Sequence, residues 1–365
     1  QVSSAASDVY KRQEYNRSNC YKTRLVFIKI MNNKIITSLA SVLLFIFPIH
    51  LLYIIIKNLF YDFKVIKPVK ISSTVISVGN VSLGGTGKTP ITISIANFLQ
   101  KKGFKVGIVS RGYGRKKSSN SFLIDNQHWT ECGDEVVLLK NNLHTEIPIF
   151  VSNNKVFAAK KLSKIGCNII VLDDGFQHRK IHRDIDIVLV GPENQLKNKQ
   201  LVYPYGSLRE PLKNIKRADI TIMTKKNIVE NRSNLNFDHA LDLVIKDEIL
   251  STGKNTLIKD LLKSSDNLSV CSIGDPSSFS KTLESLDINI KKRLIFPDHW
   301  SFSFQDVNKI NKLASEHDLQ NIICTEKDYI KLLDFKKSLN IDLNSIVIKH
   351  KLSKEFEEDI LCRLT

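Results

Sequence analysis

The stretch Val75 to Pro90, VISVGNVSLGGTGKTP, constrains the fold more than any other part of the chain. Alternating and β-branched residues run into a turn built from Gly84, Gly85 and Gly87, and Lys88, Thr89 and Pro90 follow at once. This predicts a strand, a phosphate-binding loop and a helix in succession. Glycines let successive backbone N–H groups converge on phosphate oxygens, a lysine reaches the outer phosphates, and a threonine hydroxyl can ligate Mg²⁺. Pro90 suits a first helical turn, ITISIANFLQKK carries apolar residues at helical spacing, and Gly103 supplies the stop. Ser82 stands where the short motif asks for glycine, so the loop is read as Ser82, Leu83, Gly84, Gly85, Thr86, Gly87, Lys88 and Thr89.

Apolar runs alternate with helical patterns after this loop: Lys105 to Ser110, Ile147 to Val151, Asn168 to Leu172, Asp186 to Val190 and Ile220 to Met223. Such alternation predicts an α/β fold, a mostly parallel sheet with helices on both faces and functional residues at the carboxyl ends of the strands. The polar stretch Lys225 to Asn236 interrupts the pattern, and a connection with one short helix follows. A second, smaller α/β unit then has strands near Ser269 to Ile273, Ile322 to Thr325 and Ser345 to Ile348. The expected division is a core domain over 61–240, a connection over 241–267 and a C-terminal domain over 268–365.

At 365 residues and 42% hydrophobic content the chain can bury a sizeable core, which excludes a disordered protein. Its six cysteines are scattered without a CxxC pair, so neither a zinc cluster nor a disulfide framework is indicated. The net charge of +17 is spread along the chain, and no basic-aromatic stacking platform is visible. Lys57, Lys64, Lys67 and Lys70 instead follow a hydrophobic stretch, which suits anionic lipid headgroups rather than nucleic acid.

That stretch, Ile35 to Ile56, has no Lys, Arg, Asp or Glu and, at ~1.5 Å per residue, is long enough to cross a ~30 Å hydrocarbon layer. A membrane helix over 31–60 is therefore expected, although Pro48 and His50 also suit a helix lying in the interface. Residues 1–30 begin with Gln and read as a non-native or disordered extension; with Met31 as the start, the basic residues lie mainly C-terminal to the span, which directs the following domains to the cytoplasm.

Several residues could carry chemistry. Asp173 and Asp174 end an apolar strand on the same rim as the phosphate loop, which fits either a Mg²⁺-holding Walker B pair or an ordinary turn. Asp134 and Glu135 open a helical pattern; the choice is between a general base and acids that merely complement a helix dipole, worth ~0.3–1 kcal/mol. Arg111 and Arg115 in SRGYGRK could clamp phosphate or form a solvated turn. His178 follows the Asp pair in DDGFQHR, Arg209 and Glu210 lie in YPYGSLREP, and His299 lies in FPDHWSF.

Together GGTGKTP, SRGYGR, GDE, LDDGFQHR, GSLREP, FPDHWSF and TEKD, in this order, make residues 36–365 resemble the tetraacyldisaccharide 4′-kinase (lipid A 4′-kinase) family. The resemblance implies a P-loop NTPase-like core that uses ATP and Mg²⁺ to phosphorylate the 4′-hydroxyl of a membrane-embedded lipid A disaccharide 1-phosphate. It implies placement at the inner, cytoplasmic membrane, with no obligate protein partner evident. By matched position Lys88 would reach the phosphates and Asp134 would be the base, assisted by His299. Thr89, Asp173, Asp174 and Glu210 would surround the metal or its waters, and Arg111, Glu135, His178 and Arg209 would contact phosphate or substrate. Val136 stands where the family usually has proline and Trp300 where a second histidine is common. The rival readings are a membrane-tethered NTPase that uses hydrolysis as a switch, and a non-enzymatic binder built on the basic charge.

Overall fold

The computed structural model describes residues 48–115, 121–191, 201–203, 205–224, 236–252 and 262–365, with the side chains of 246–249 left aside. The chain divides into two compact units, residues 1–59 and 60–365. In the first unit the described residues are helical and expose Ile49, Leu52 and Tyr53. Much of the expected membrane helix over 31–60 lies outside the described residues. Among those described, no helix is long and apolar enough to cross a membrane.

The second unit carries two sheets. The larger comprises β1 (Thr74–Asn80), β2 (Val106–Ser110), β3 (Phe122–Leu123), β4 (Ile149–Val151), β5 (Ile169–Asp173), β6 (Ile185–Val190), β7 (Ile220–Thr224) and β8 (His239–Leu241). Their order is β3-β4-β2-β5-β1-β6-β7-β8, parallel throughout except for the edge strand β3. β1 pairs with both β5 and β6, and Val78 stands opposite Asp173, so the phosphate loop and the Asp pair leave neighbouring strands on one rim.

The strands are apolar on both faces because helices cover both. On one face Ile76, Val78, Ile108 and Val171 pack with Ile91, Ile95 and Leu99 of α1 (Lys88–Lys101). On the other, Val75, Val109, Ile170 and Leu172 pack with Ala158, Ala159 and Leu162 of α4 (Lys155–Lys164). Between them in sequence lie α2 (Trp129–Cys132) and α3 (Asp134–Asn142). Helix α1 starts at Lys88, two residues before the expected Pro90, because Gly87 takes the left-handed cap at φ 80°. It ends as predicted: Gly103 at φ 89° donates to the Gln100 carbonyl and Phe104 to that of Leu99, a Schellman closure.

The smaller sheet has the order β11-β10-β12-β13-β9, built from β9 (Leu243–Ser251), β10 (Asn267–Cys271), β11 (Ile290–Ile295), β12 (Asn321–Thr325) and β13 (Asp342–His350). Helices α6 (Phe304–Glu316) and α7 (Glu326–Leu332) bury Ile310 and Leu332 against one face, and α5 (Pro276–Glu284) buries Phe279 and Leu283 against the other. Two departures from expectation stand out. The segment 241–267, expected to be a connection, contributes β9, whose sequence LVIKDEILS hides its strand character behind charge; it runs antiparallel along the edge of β13. The other is β11, an edge strand whose sequence, IKKRLI, alternates half-buried with exposed residues. The polar stretch Lys225–Asn236 falls almost wholly outside the described residues. Cys132, Cys167, Cys271, Cys324 and Cys362 are free thiols, in line with the expectation drawn from their spacing.

The last helix, α8 (Lys354–Leu364), returns to the larger sheet: Phe356 and Ile360 are buried in the cluster that contains Ile76 and Leu99. Phe356→Ala leaves an aromatic-sized void in that cluster and is expected to cost about 3–5 kcal/mol, measured by urea unfolding with an unchanged m-value.

Candidate active site

A cavity of about 500 Å³ opens where the rims of the two sheets meet, lined by Leu83 to Thr89, by Ser110 to Tyr113, by the Asp173–Asp174 pair, and by Gly274 and His299 from the smaller sheet. Its floor is the phosphate loop. Asn80 Nδ2 donates to Thr86 Oγ1 at 2.8 Å, and Leu83 N to the Ser207 carbonyl at 2.6 Å. Gly87 has no substitute: its φ is 80°, and a Cβ there would meet His350 Nε2 at 2.6 Å. Helix α1 has neither a side-chain cap nor an acid in its first turn, so its N-terminal N–H groups and positive dipole end face the cavity unopposed. Ser82 is fully buried beneath the loop, bridged to Leu208, and does not line the cavity.

The two aspartates at the end of β5 have opposite environments. Asp174 adopts φ 52°, and its carboxylate takes both oxygens to Arg209 Nη1 at 2.8 and 2.7 Å, with Lys88 Nζ at 3.7 Å. Burial would raise its pKa, but Lys88 and Arg209 hold it far below the usual carboxylate range. Asp173 is buried with only a long contact from Thr92 Oγ1 at 3.4 Å, and burial together with the Glu135 charge pushes its carboxyl up to about 7. Lys155 at the start of α4 fixes both backbones: its ammonium donates to the Asp173 carbonyl and, at 2.7 Å, to that of Asp174. Burial lowers the pKa of that ammonium.

Asp134 opens α3, 5% exposed, directly after Gly133, where a Cβ would strike the Tyr113 carbonyl at 2.5 Å. His299 Nδ1 lies 3.2 Å from Asp134 Oδ2. The histidine comes from the loop after β11, at φ 57°, with its ring against Tyr113 at a centroid distance of 4.8 Å. Burial works against the Asp134 charge, yet the His299 hydrogen bond, Lys327 and Lys331 bring its pKa down to about 2. Glu135 pairs with Lys327 Nζ at 2.5 Å, and Lys331 Nζ lies 3.7 Å from Asp134.

The structure thus gathers Lys88, Thr89, Arg111, Asp134, Glu135, Asp173, Asp174, Arg209 and His299 in or beside one cavity. Besides Ser82, two expected members do not join them. Glu210 is buried beneath the rim, its oxygens taken by Gln177 at 3.0 Å and by Asn214 and Arg217 at 2.7 Å each; its work is to brace the 207–217 loop. His178 follows the turn after Asp174 and is not a lining residue. Nothing in the sequence marks Lys155 and Lys331, because an isolated lysine in a helical pattern carries no signal of burial, and Lys327, though inside TEKD, is assigned no role from it.

Among the described residues no three His, Cys, Asp or Glu side chains converge as a ready-made cation cage. Mg²⁺ is ordinarily held by one or two carboxylates, waters and substrate phosphates, and the donor set Thr89, Asp173 and Asp174 fits that manner of binding. Asp173 is the destabilised member. A carboxyl raised from 3.8 to about 7 in the fold stabilises the protein below pH 4, and that contribution is lost as pH rises toward 7. In ligand-free protein with chelator, Asp173→Asn is therefore expected to melt together with the wild type at pH 4 and clearly above it at pH 8, measured by calorimetry.

The profile of the family "LpxK: Tetraacyldisaccharide-1-P 4'-kinase" matches residues 40–365. A tetraacyldisaccharide 4′-kinase of Halothermothrix orenii is 30% identical over 358 residues, covering 90% of this chain and 92% of its own. One from Vibrio vulnificus is 34% identical over 297 residues, covering 80% and 82%. The crystal structure of the "apo" form of LpxK from Aquifex aeolicus, in complex with ATP, matches with a TM-score of 0.68 and 29% identity over 89% of this chain and 99% of that one. With a cavity that gathers most of the residues expected of such an enzyme, and a match over nearly its whole length, the chain belongs to the tetraacyldisaccharide-1-P 4′-kinase family.

Proposed function

We propose that this protein transfers the γ-phosphoryl group of ATP to the 4′-hydroxyl of a tetraacyldisaccharide 1-phosphate, a lipid A precursor. The observation that carries this reading is the Asp134–His299 pair, 3.2 Å apart, with His299 on the wall of the cavity whose floor is the phosphate loop and Asp134 directly behind it. A hydrolytic switch has no use for a buried carboxylate–imidazole pair at the mouth of a phosphate site; a kinase that must take a proton from a sugar hydroxyl does.

In this mechanism the backbone of Gly84 to Gly87 cradles the phosphates, and Lys88 leaves Asp174 for the β- and γ-oxygens. Thr89, Asp173 and Asp174 would hold Mg²⁺, whose charge offsets that on the transferred group. Arg209 keeps Asp174 in place, and Arg111, exposed on the rim, faces incoming anionic groups. Asp134, ionised at any physiological pH, accepts the hydroxyl proton, and His299 orients its carboxylate. Positioning and electrostatics do most of the work, as phosphoryl transfer requires.

The acceptor's acyl chains stay in a bilayer, so the enzyme must work at its surface. The apolar stretch Ile35 to Ile56 supports a membrane-anchoring helix, and in the second unit the exposed Phe60, Phe63, Val65 and Ile66 offer apolar surface while Lys64, Lys67 and Lys70 add charge attraction to anionic headgroups. In this reading the catalytic unit works at the cytoplasmic face of the inner membrane.

With labelled ATP and a tetraacylated glucosamine disaccharide 1-phosphate in detergent micelles, the wild type is expected to label the lipid and Lys88→Ala to label none. Asp134→Ala is expected to lower kcat about 10²- to 10⁴-fold with little change in KM for ATP. ATP hydrolysis without labelled lipid in the wild type would favour the switch reading instead.

A further inference from the structure

Lys331 takes no part in the chemistry above, yet its side chain is only 2% exposed. Three partners on the smaller sheet's side fix its ammonium: the Asp328 carboxylate at 3.1 Å, Ser272 Oγ at 2.8 Å and the Trp300 carbonyl at 3.0 Å. The Phe302 ring lies beneath it at 5.5 Å. On its other side it meets Asp134 Oδ2 at 3.7 Å.

These partners are the two ends of the His299 segment. The His299 N–H donates to the Ser272 carbonyl at 3.2 Å, Ser272 N donates to Asp328 at 2.8 Å, and Trp300 is the residue that follows His299. One ammonium therefore touches the backbone carrying the imidazole and faces the carboxylate that the imidazole meets. His299 needs such support: at φ 57° it occupies a region that non-glycine residues leave unless their surroundings hold them. The other charges facing the pair, Lys327, Glu135 and Asp298, do not grip this backbone, and Lys327 is occupied by Glu135. A buried lysine–aspartate pair also gives little stability over apolar side chains of like size, so stability alone is a weak reason for it.

We propose that Lys331 is a positioning residue for phosphoryl transfer, holding the His299 backbone and the Asp134 carboxylate in the single arrangement in which base and imidazole meet. The proposal rests on the kinase reading. Replacing Lys331 alone strands the Asp328 carboxylate, so the informative variant combines Lys331→Met with Asp328→Asn. A second, Ser272→Ala, keeps both charges and removes only the hydroxyl, which accepts from the ammonium and donates to the Asp328 carboxylate.

Two readouts are needed: label transfer to the lipid disaccharide, and the ring signals of His299 by ¹H–¹³C NMR, assigned by their loss in His299→Gln. The double variant is expected to lose about 100-fold in kcat with KM for ATP within roughly threefold of wild type. Ser272→Ala is expected to lose about tenfold in the same manner. In both, the His299 signals move further than those of any other histidine. Wild-type kcat in Ser272→Ala, or unmoved His299 signals in the folded variants, overturns the positioning role. A wild type that labels no lipid overturns the kinase reading instead, and the His299 signals still decide the role of Lys331.

Discussion

Asp134 is a carboxylate of the larger sheet whose neutralising charges come from the smaller one, and the geometry of the cavity depends on that exchange. Lys331, Lys327 and His299 all belong to the smaller sheet's half. The same two stretches, 128–142 and 325–334, meet through further polar contacts: Glu135 with Lys327, Asn142 Nδ2 with Glu326 at 3.0 Å, and Asp334 with His128 Nε2 at 3.0 Å and Trp129 Nε1 at 2.8 Å. Burying these charges carries a desolvation cost that only close, well-directed partners offset. The arrangement is thus strict about position: a displacement of an ångström or two would leave several charges buried and unpaired at once.

Within the cavity, charge is allotted by neighbourhood rather than by residue type. Asp173 and Asp174 are adjacent in sequence, yet two cations hold one ionised while burial and Glu135 push the other toward neutrality. A cation arriving beside Asp173 relieves the unfavourable partner, and a phosphate arriving at Lys88 replaces Asp174 as its counter-ion. The helix at the floor follows the same logic. Helices α4 to α8 each begin with a side-chain cap, from Asn154, Asp275, Ser303, Thr325 and Ser353. Helix α1 begins with a bare glycine, which leaves its N–H groups to a ligand.

The sequence made much of this legible, and for identifiable reasons. A glycine turn joining a β-branched run to an amphipathic one has few structural meanings, so β1, the loop and α1 could be read within two residues. The six inner strands of the larger sheet, buried on both faces, show as continuous apolar runs, while its short edge strands β3 and β8 do not. The edge strands β9 and β11 do not, because charged residues blunt an exposed edge and erase the pattern. In the site, Lys155 and Lys331 lie outside the short motifs, and Lys327 lies inside TEKD without a role read from it: their contacts follow from tertiary packing across 18, 192 and 197 residues of sequence, the separations of Lys155 from Asp173, Lys327 from Glu135 and Lys331 from Asp134. Glu210 shows the converse error. A carboxylate in a conspicuous loop reads as a ligand, but here Arg217 and Asn214 had already claimed it.

The smaller sheet does more than deliver His299. Its loop after β10 lies on the phosphate loop itself, so closely that a Cβ on Gly274 would meet Gly84 Cα at 2.9 Å and Gly85 N at 3.3 Å. The approach requires glycine at 274, whereas a Cβ on Gly84 would meet the Gly274 carbonyl at an ordinary 3.8 Å and it is the φ of 115° that favours glycine there. The consequence is chemical. A phosphate chain held between these loops would be enclosed by backbone from both sheets, while the cavity also reaches Arg111 and His299, the side where an acceptor hydroxyl, and water as well, would approach the γ-phosphorus in line with the leaving oxygen. The backbone contact that joins the two halves of the catalytic unit thus fixes where phosphates can lie, and only an acceptor filling the open face would keep water from it.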